Sequence, residues 1–240
     1  MEILLFIVGA LICYFISAMI HEMGHVVCGL LHYWKLYMLV VGPLKFYREN
    51  MDSKLKIGIE KNLILWGGVG GTLPVKENEE NIKAWARILL AGPLTSIVFG
   101  ILMFPICVIT KSIFALLLCM MPLAMGVMCI IPMKMKTGLL YNDGSRYKRL
   151  HSGDQEGAEE RAIFQLIEAS LFGGEDCIYP MDLVEALLAS EDPDFQYYGY
   201  YYAYVNATRQ NCKEEAEEQL NNMESIRNKV AKFIVSDCKI

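Results

Sequence analysis

No C-x-x-C pair occurs among the eight cysteines, and the pattern gives no sign of a cysteine zinc site or a disulfide framework. Five of the eight lie in or beside apolar runs, where cysteine packs as a small hydrophobe. A basic leader is missing too: Glu2 stands where a signal peptide carries positive charge, and no small-x-small cleavage site ends the run that follows. The first segment is therefore expected to stay in the membrane. The glycine run Gly67-Gly68-Val69-Gly70-Gly71 lacks a G-K-[ST] ending and any G-x-G-x-x-G fingerprint, which argues against a nucleotide site. Charge is absent from residues 3–20, and histidine is scarce, with four in the chain.

What is present divides unevenly. The 240 residues are 54% hydrophobic, too apolar for one ordinary soluble domain. Residues 1–150 carry 15 Lys+Arg against 9 Asp+Glu, whereas residues 151–240 carry 7 against 18. The fold class expected is mainly α: a polytopic membrane protein with three spanning helices, a short β or re-entrant loop region, and a soluble acidic helical domain over residues 151–240. The acidic part argues against nucleic acid as a partner.

Spans are expected over about residues 2–31, 85–109 and 113–131, each long enough to cross a bilayer. Between the first two, 37–41 and 63–66 read as short strands or re-entrant pieces, and the glycine run followed by Pro74 reads as a loop whose unpaired backbone lines a cleft. The segment Ala91-Gly92-Pro93-Leu94-Thr95-Ser96 offers small residues for close helix approach and a proline that frees a carbonyl. Basic residues set the loop 35–83 and the segment 134–149, with Lys134-Met135-Lys136, on the cytoplasmic side. The C-terminal domain follows them there, in a protein of the cell membrane.

Two of the four histidines stand four residues apart in His21-Glu22-Met23-Gly24-His25, at the end of the first apolar run. On a helix both imidazoles share a face and can grip one metal ion, while Glu22 can take a proton from water at that ion. Ionisable groups inside a membrane segment are costly and mark function. A catalytic zinc wants three protein ligands and an open position. His32 is one residue out of register for the long H-E-x-x-H-x-x-G-x-x-H pattern, and Glu49 stands among Lys45, Arg48 and Asp52 in a solvated stretch. Asp143, followed by the turn-permitting Gly144, is the third ligand expected, because the topology returns it to the membrane face of His25.

Together, H-E-M-G-H late in a membrane helix, A-G-P-L-T-S in a second and Asn142-Asp143-Gly144 after a third resemble the site-2 protease family of intramembrane zinc metalloproteases. The resemblance covers roughly residues 1–150. It implies a three-helix catalytic core, zinc as cofactor held by His21, His25 and Asp143, and Glu22 as general base. It also implies a zinc metalloendopeptidase acting on a membrane-anchored protein or peptide within the bilayer. Two departures stand out. Cys129 replaces the Asn of the family's N-x-x-P, and Ser96 replaces the Asn that ends its G-P-x-x-N. A different class of function, a non-catalytic membrane peptide-binding, immunity or assembly protein on the same fold, needs neither Glu22 nor an open metal position.

Helices are expected in the C-terminal part over 158–171, 181–190, 195–209 and 213–235. The tyrosine-rich stretch after Asp194 is similar to a tetratricopeptide-type helix pair, and an antiparallel bundle with aromatic core positions fits the same pattern. Asn206-Ala207-Thr208 matches a glycosylation acceptor that a cytoplasmic domain leaves unused.

Overall fold

An unbroken run of apolar side chains ending in a polar cluster gives one long helix, α1 (Glu2–Leu31). Its backbone bonds are satisfied within the segment, as a lipid environment demands. The computed structural model describes residues 2–133, 141–174 and 176–238; the expected basic cluster at Lys134 and Lys136 lies outside the described residues. The chain divides into two compact units, 1–132 and 133–240.

In the first unit, α1 packs with α2 (Asn81–Thr110) and α3 (Ile113–Ile130), and all three are long and apolar enough to cross a membrane. Their outward faces carry exposed apolar side chains such as Leu4, Leu5, Leu102, Ile109 and Met128, an arrangement suited to lipid rather than water. Lys111 turns the chain between α2 and α3 in a left-handed conformation (φ 53°), donating its N–H to the Cys107 carbonyl. Small residues let these helices approach closely. A Cβ on Gly126 would lie 2.5 Å from the Pro93 carbonyl oxygen, and one on Gly100 would lie 2.8 Å from that of Cys119.

The connection between α1 and α2 is a four-stranded antiparallel sheet, order β3-β2-β1-β4, of β1 (Lys35–Val41), β2 (Leu44–Tyr47), β3 (Lys56–Ile59) and β4 (Val69–Leu73). Gly42-Pro43 closes the β1–β2 hairpin, with Gly42 at φ 56°, where a Cβ is disfavoured. Val40 and Val41 of β1 are both buried, on opposite faces of the strand, and Leu39 and Val41 pack with Ala18 and Val26 of α1. The stretch 63–66 lies in a 3₁₀ turn (Leu63–Gly67) rather than a strand. The glycine run departs from expectation as well. It is not unpaired loop backbone, because Val69, Gly70 and Gly71 pair with Val40, Leu39 and Met38 in the β1–β4 ladder. Strand β4 is an edge of the sheet.

The second unit is helical: α4 (Asp143–Leu150), α5 (Gln155–Phe172), α6 (Met181–Leu188), α7 (Pro193–Arg209), α8 (Lys213–Ile226) and α9 (Lys232–Asp237). Consecutive helices pack on one another around Leu166, Val184, Leu187 and Phe195. Three N-termini are capped by side chains, Asn142 for α4, Asp154 for α5 and Asp192 for α7. The helix expected over 213–235 breaks into two around a 3₁₀ turn (Arg227–Lys229), after which Val230 is extended. The break lets Val230 and Ile234 turn back onto Tyr197 and Met223. The boundary expected at residue 150 moves to 132/133, because α4 packs on α5 through arginine–glutamate pairs.

Candidate metal centre

Four residues on a helix make just over one turn, so His21 and His25 project from the same side of α1. Both are nearly enclosed, 5% and 8% exposed, beside Glu22 at 9%. Their Nε2 atoms lie 3.3 Å apart. The other nitrogen of each ring is engaged by α2: His25 Nδ1 with the Ile88 carbonyl at 2.7 Å, and His21 Nδ1 with Ser96 Oγ at 3.1 Å.

These partners decide the chemistry of the pair. A carbonyl accepts only, so His25 carries its proton on Nδ1 and turns a lone pair on Nε2 toward His21. Ser96 Oγ can accept from His21 Nδ1 in the matching tautomer. With each ring's proton on Nδ1, both Nε2 lone pairs are available to one shared cation, whereas with His21 protonated on Nε2 the two rings hydrogen-bond to each other. Partners that fix the tautomer and orientation of an imidazole are the usual outer support of a histidine metal ligand. The donor set therefore fits a zinc ion.

Small residues make room for the pair. Gly24 lets α1 approach α2, since a Cβ there would lie 2.6 Å from the Ala91 carbonyl oxygen and 2.8 Å from Gly92 Cα. Gly92 faces His25, where a Cβ would fall 2.2 Å from Nε2. Pro93 has no N–H for the Leu89 carbonyl. The carbonyl that His25 uses is that of Ile88, one residue earlier.

On another side of Glu22 runs β4. Cβ atoms on Gly68, just before the strand, and on Gly70 within it would lie 2.7 Å from Glu22 Oε1 and 2.8 Å from Oε2, so a larger residue at either position would push the carboxylate aside. Farther along, a Cβ on Gly29 of α1 would meet Thr72 Oγ1 at 2.0 Å. The glycine run, expected as unpaired backbone lining a cleft, lies beside Glu22 as a paired strand.

The alternative third ligands lie elsewhere in the first unit. Glu49 is exposed and pairs with Lys56 at 2.6 Å. His32 lines a recess of about 200 Å³ with Tyr33, Trp34, Asn78, Asn81 and Arg87. Asp143 belongs to the second unit, where it is the first residue of α4. Gly144 does not make the turn that the Asp-Gly pair implies. Instead, Asn142 Oδ1 accepts from Ser145 N–H at 3.1 Å and starts a helix. The same oxygen accepts from Met133 N–H at 3.2 Å, and Ser145 Oγ donates to the Met133 carbonyl at 2.9 Å.

Ser96 and Ile88 were not foreseen as partners of the histidines. The departure of Ser96 from the G-P-x-x-N pattern marked the position, though not its contact. Comparison with known proteins gives one family: the model described as peptidase family M50 matches residues 9–240. No curated protein and no solved structure matches the chain.

Proposed function

The chain belongs to peptidase family M50, the site-2 protease family, and on that premise we propose that it is a zinc-dependent endopeptidase cutting a membrane-anchored protein in or beside its spanning segment. The observation that carries this reading is the histidine pair, with Nε2 atoms 3.3 Å apart and both Nδ1 atoms engaged by α2 on a helix apolar enough to span. The proposed ligands are His21, His25 and Asp143. Zinc in this site supplies Lewis acidity, which makes water a nucleophile near neutral pH and polarises a carbonyl.

Glu22 is the general base. Its carboxylate takes a proton from the attacking water and returns it to the amine nitrogen of the departing fragment. Gly68 and Gly70 keep that carboxylate uncrowded. The Ile88 carbonyl holds His25 in the tautomer that presents Nε2, and Ser96 orients the His21 ring with its Nε2 toward the same point. As a sheet edge beside Glu22, β4 offers backbone N–H and C=O groups to a substrate segment that has unwound. A helix cannot present its amides for hydrolysis until it has done so. We infer a place in the cell membrane, with the second unit in the cytoplasm, from the basic residues of the loop between α1 and α2.

Purified protein in detergent or vesicles tests this reading. Wild type is expected to hold one zinc per chain and to cleave a membrane-spanning test peptide. Glu22→Gln keeps the zinc and loses about 10²–10⁴-fold in rate. His25→Ala loses both. Equal biological complementation by wild type and Glu22→Gln would instead identify a peptide-binding protein.

A further inference from the structure

Helix α4 is too short to hold itself. It has eight residues, begins with Asp143-Gly144-Ser145, and buries only Gly144, Ser145, Arg149 and Leu150. Isolated helices shorter than about 12–15 residues are marginal in water. What fixes α4 is charge, in an unusually enclosed setting.

Arg149 is 4% exposed, Glu159 is 4% exposed and Glu160 is fully buried. Arg149 Nη2 donates to Glu159 Oε2 at 2.6 Å, and its Nε lies 3.5 Å from Glu160 Oε2. Arg146 Nε donates to the other Glu160 oxygen at 2.7 Å. The Arg149 guanidinium also sits over two rings, 4.4 Å from the centre of Tyr141 and 4.8 Å from that of Phe195. Tyr141 in turn donates its hydroxyl to Asp192, the N-cap of α7. Two arginines of α4 are thereby locked to two glutamates of α5 and to the start of α7.

Buried ion networks are a poor source of stability. Well-packed apolar residues in their place are often neutral or stabilising, and the best-attested use of such a network is to enforce one register. The register enforced here belongs to the helix whose first residue is Asp143, three residues before Arg146 and six before Arg149. Resting on the role proposed above for Asp143, we propose that Arg149 and Glu159, with Arg146 and Glu160, are positioning residues that set zinc affinity by fixing α4. The helical unit is on this account part of the metal centre's support.

The test measures zinc affinity by chelator competition, and the absorption spectrum of the cobalt-substituted protein, on the full chain in detergent. Four variants are compared: Asp143→Ala, Arg149→Met, the double Arg149→Met/Glu159→Leu, and Arg149→Met in the Asp143→Ala background. The double variant removes Arg149 together with Glu159, its closest partner, replaces both by apolar side chains and leaves Arg146–Glu160 intact, so no uncompensated charge is buried at position 159 and the unit is expected to fold even where Arg149→Met alone unfolds it. Zinc affinity is expected to fall about 10–100-fold in the folded Arg149 variants, as for other outer supports of a metal. Their cobalt spectra should change, while unfolding of the second unit stays near wild type in the double variant. In the Asp143→Ala background, Arg149→Met should cost nothing further. Wild-type affinity and spectrum in a folded Arg149 variant, or an equal loss in the Asp143→Ala background, overturns the proposal alone. Wild-type affinity in Asp143→Ala overturns the ligand assignment and the proposal with it.

Discussion

Gly70 of β4 passes so close to Glu22 that a methyl group on it would lie 2.8 Å from the carboxylate oxygen and 3.0 Å from the carbonyl oxygen of the same residue. The side chain can rotate away from such a group, but the carbonyl is locked in α1. Gly70→Ala should therefore displace the carboxylate while leaving both histidines in place. Expected is full zinc content with cleavage lowered about 10²-fold, the scale of a misplacement near 1 Å. Wild-type cleavage by this variant would separate β4 from catalysis.

Ser96 holds His21 Nδ1 from 75 residues away in the chain. Ser96→Ala removes that partner without adding bulk and should weaken zinc binding about 10–100-fold. Ser96→Asn restores a polar partner, and recovery of affinity by Asn over Ala would show that hydrogen bonding, rather than packing, is what the position supplies. Equal affinity in all three proteins would refute the role.

The spanning helices were legible because apolar runs of this length have few other uses, and the pairing of His21 with His25 followed from helical spacing alone. Strand β4 was not legible, since Gly70, Gly71 and Thr72 show no alternation of apolar and polar residues, and their pairing is decided by β1 across the sheet. Helix α4 was hidden for a different reason. Asp143-Gly144 carries turn chemistry, and what makes it helical is the Asn142 cap together with arginines whose partners lie on α5. The contacts of Ser96 and Ile88 belong to the packing of α2 on α1, which no spacing within either segment encodes.

Glu60 predicts a pH dependence for the first unit. The Asn62 backbone N–H and then the Lys45 ammonium, 3.0 Å away, hold its carboxyl below the ordinary glutamate value. A lowered folded-state value adds stability that is present above the ordinary value of about 4.3 and lost as pH falls through the lowered one. Glu60→Gln should then melt below wild type at pH 7 in detergent, with the gap closing toward pH 3. A gap independent of pH would remove the electrostatic account.

Asn206 is a structural pin, 3% exposed. Its Oδ1 accepts from Tyr179 N–H at 2.8 Å and its Nδ2 donates to the Tyr179 carbonyl at 2.9 Å, joining α7 to the segment before α6. Asn206→Ala leaves both backbone groups unpaired and should destabilise the second unit by about 1–3 kcal/mol in denaturant unfolding. An unchanged midpoint would show that water replaces the side chain.

The length of α1 also sets how far water must travel. At 1.5 Å per residue, about 28 Å of helix separates Glu2 from His21, close to a whole hydrocarbon core, and only about 9 Å separates His25 from Leu31. A helix of this proportion, set upright in a bilayer, carries its histidines near one boundary and leaves the opposite leaflet to purely apolar side chains. Hydrolysis consumes a water molecule for every bond cut. For the hydrolysis proposed at this site, water arriving from the nearer boundary would pass about one to two turns of helix, against nearly a whole hydrocarbon core from the other side.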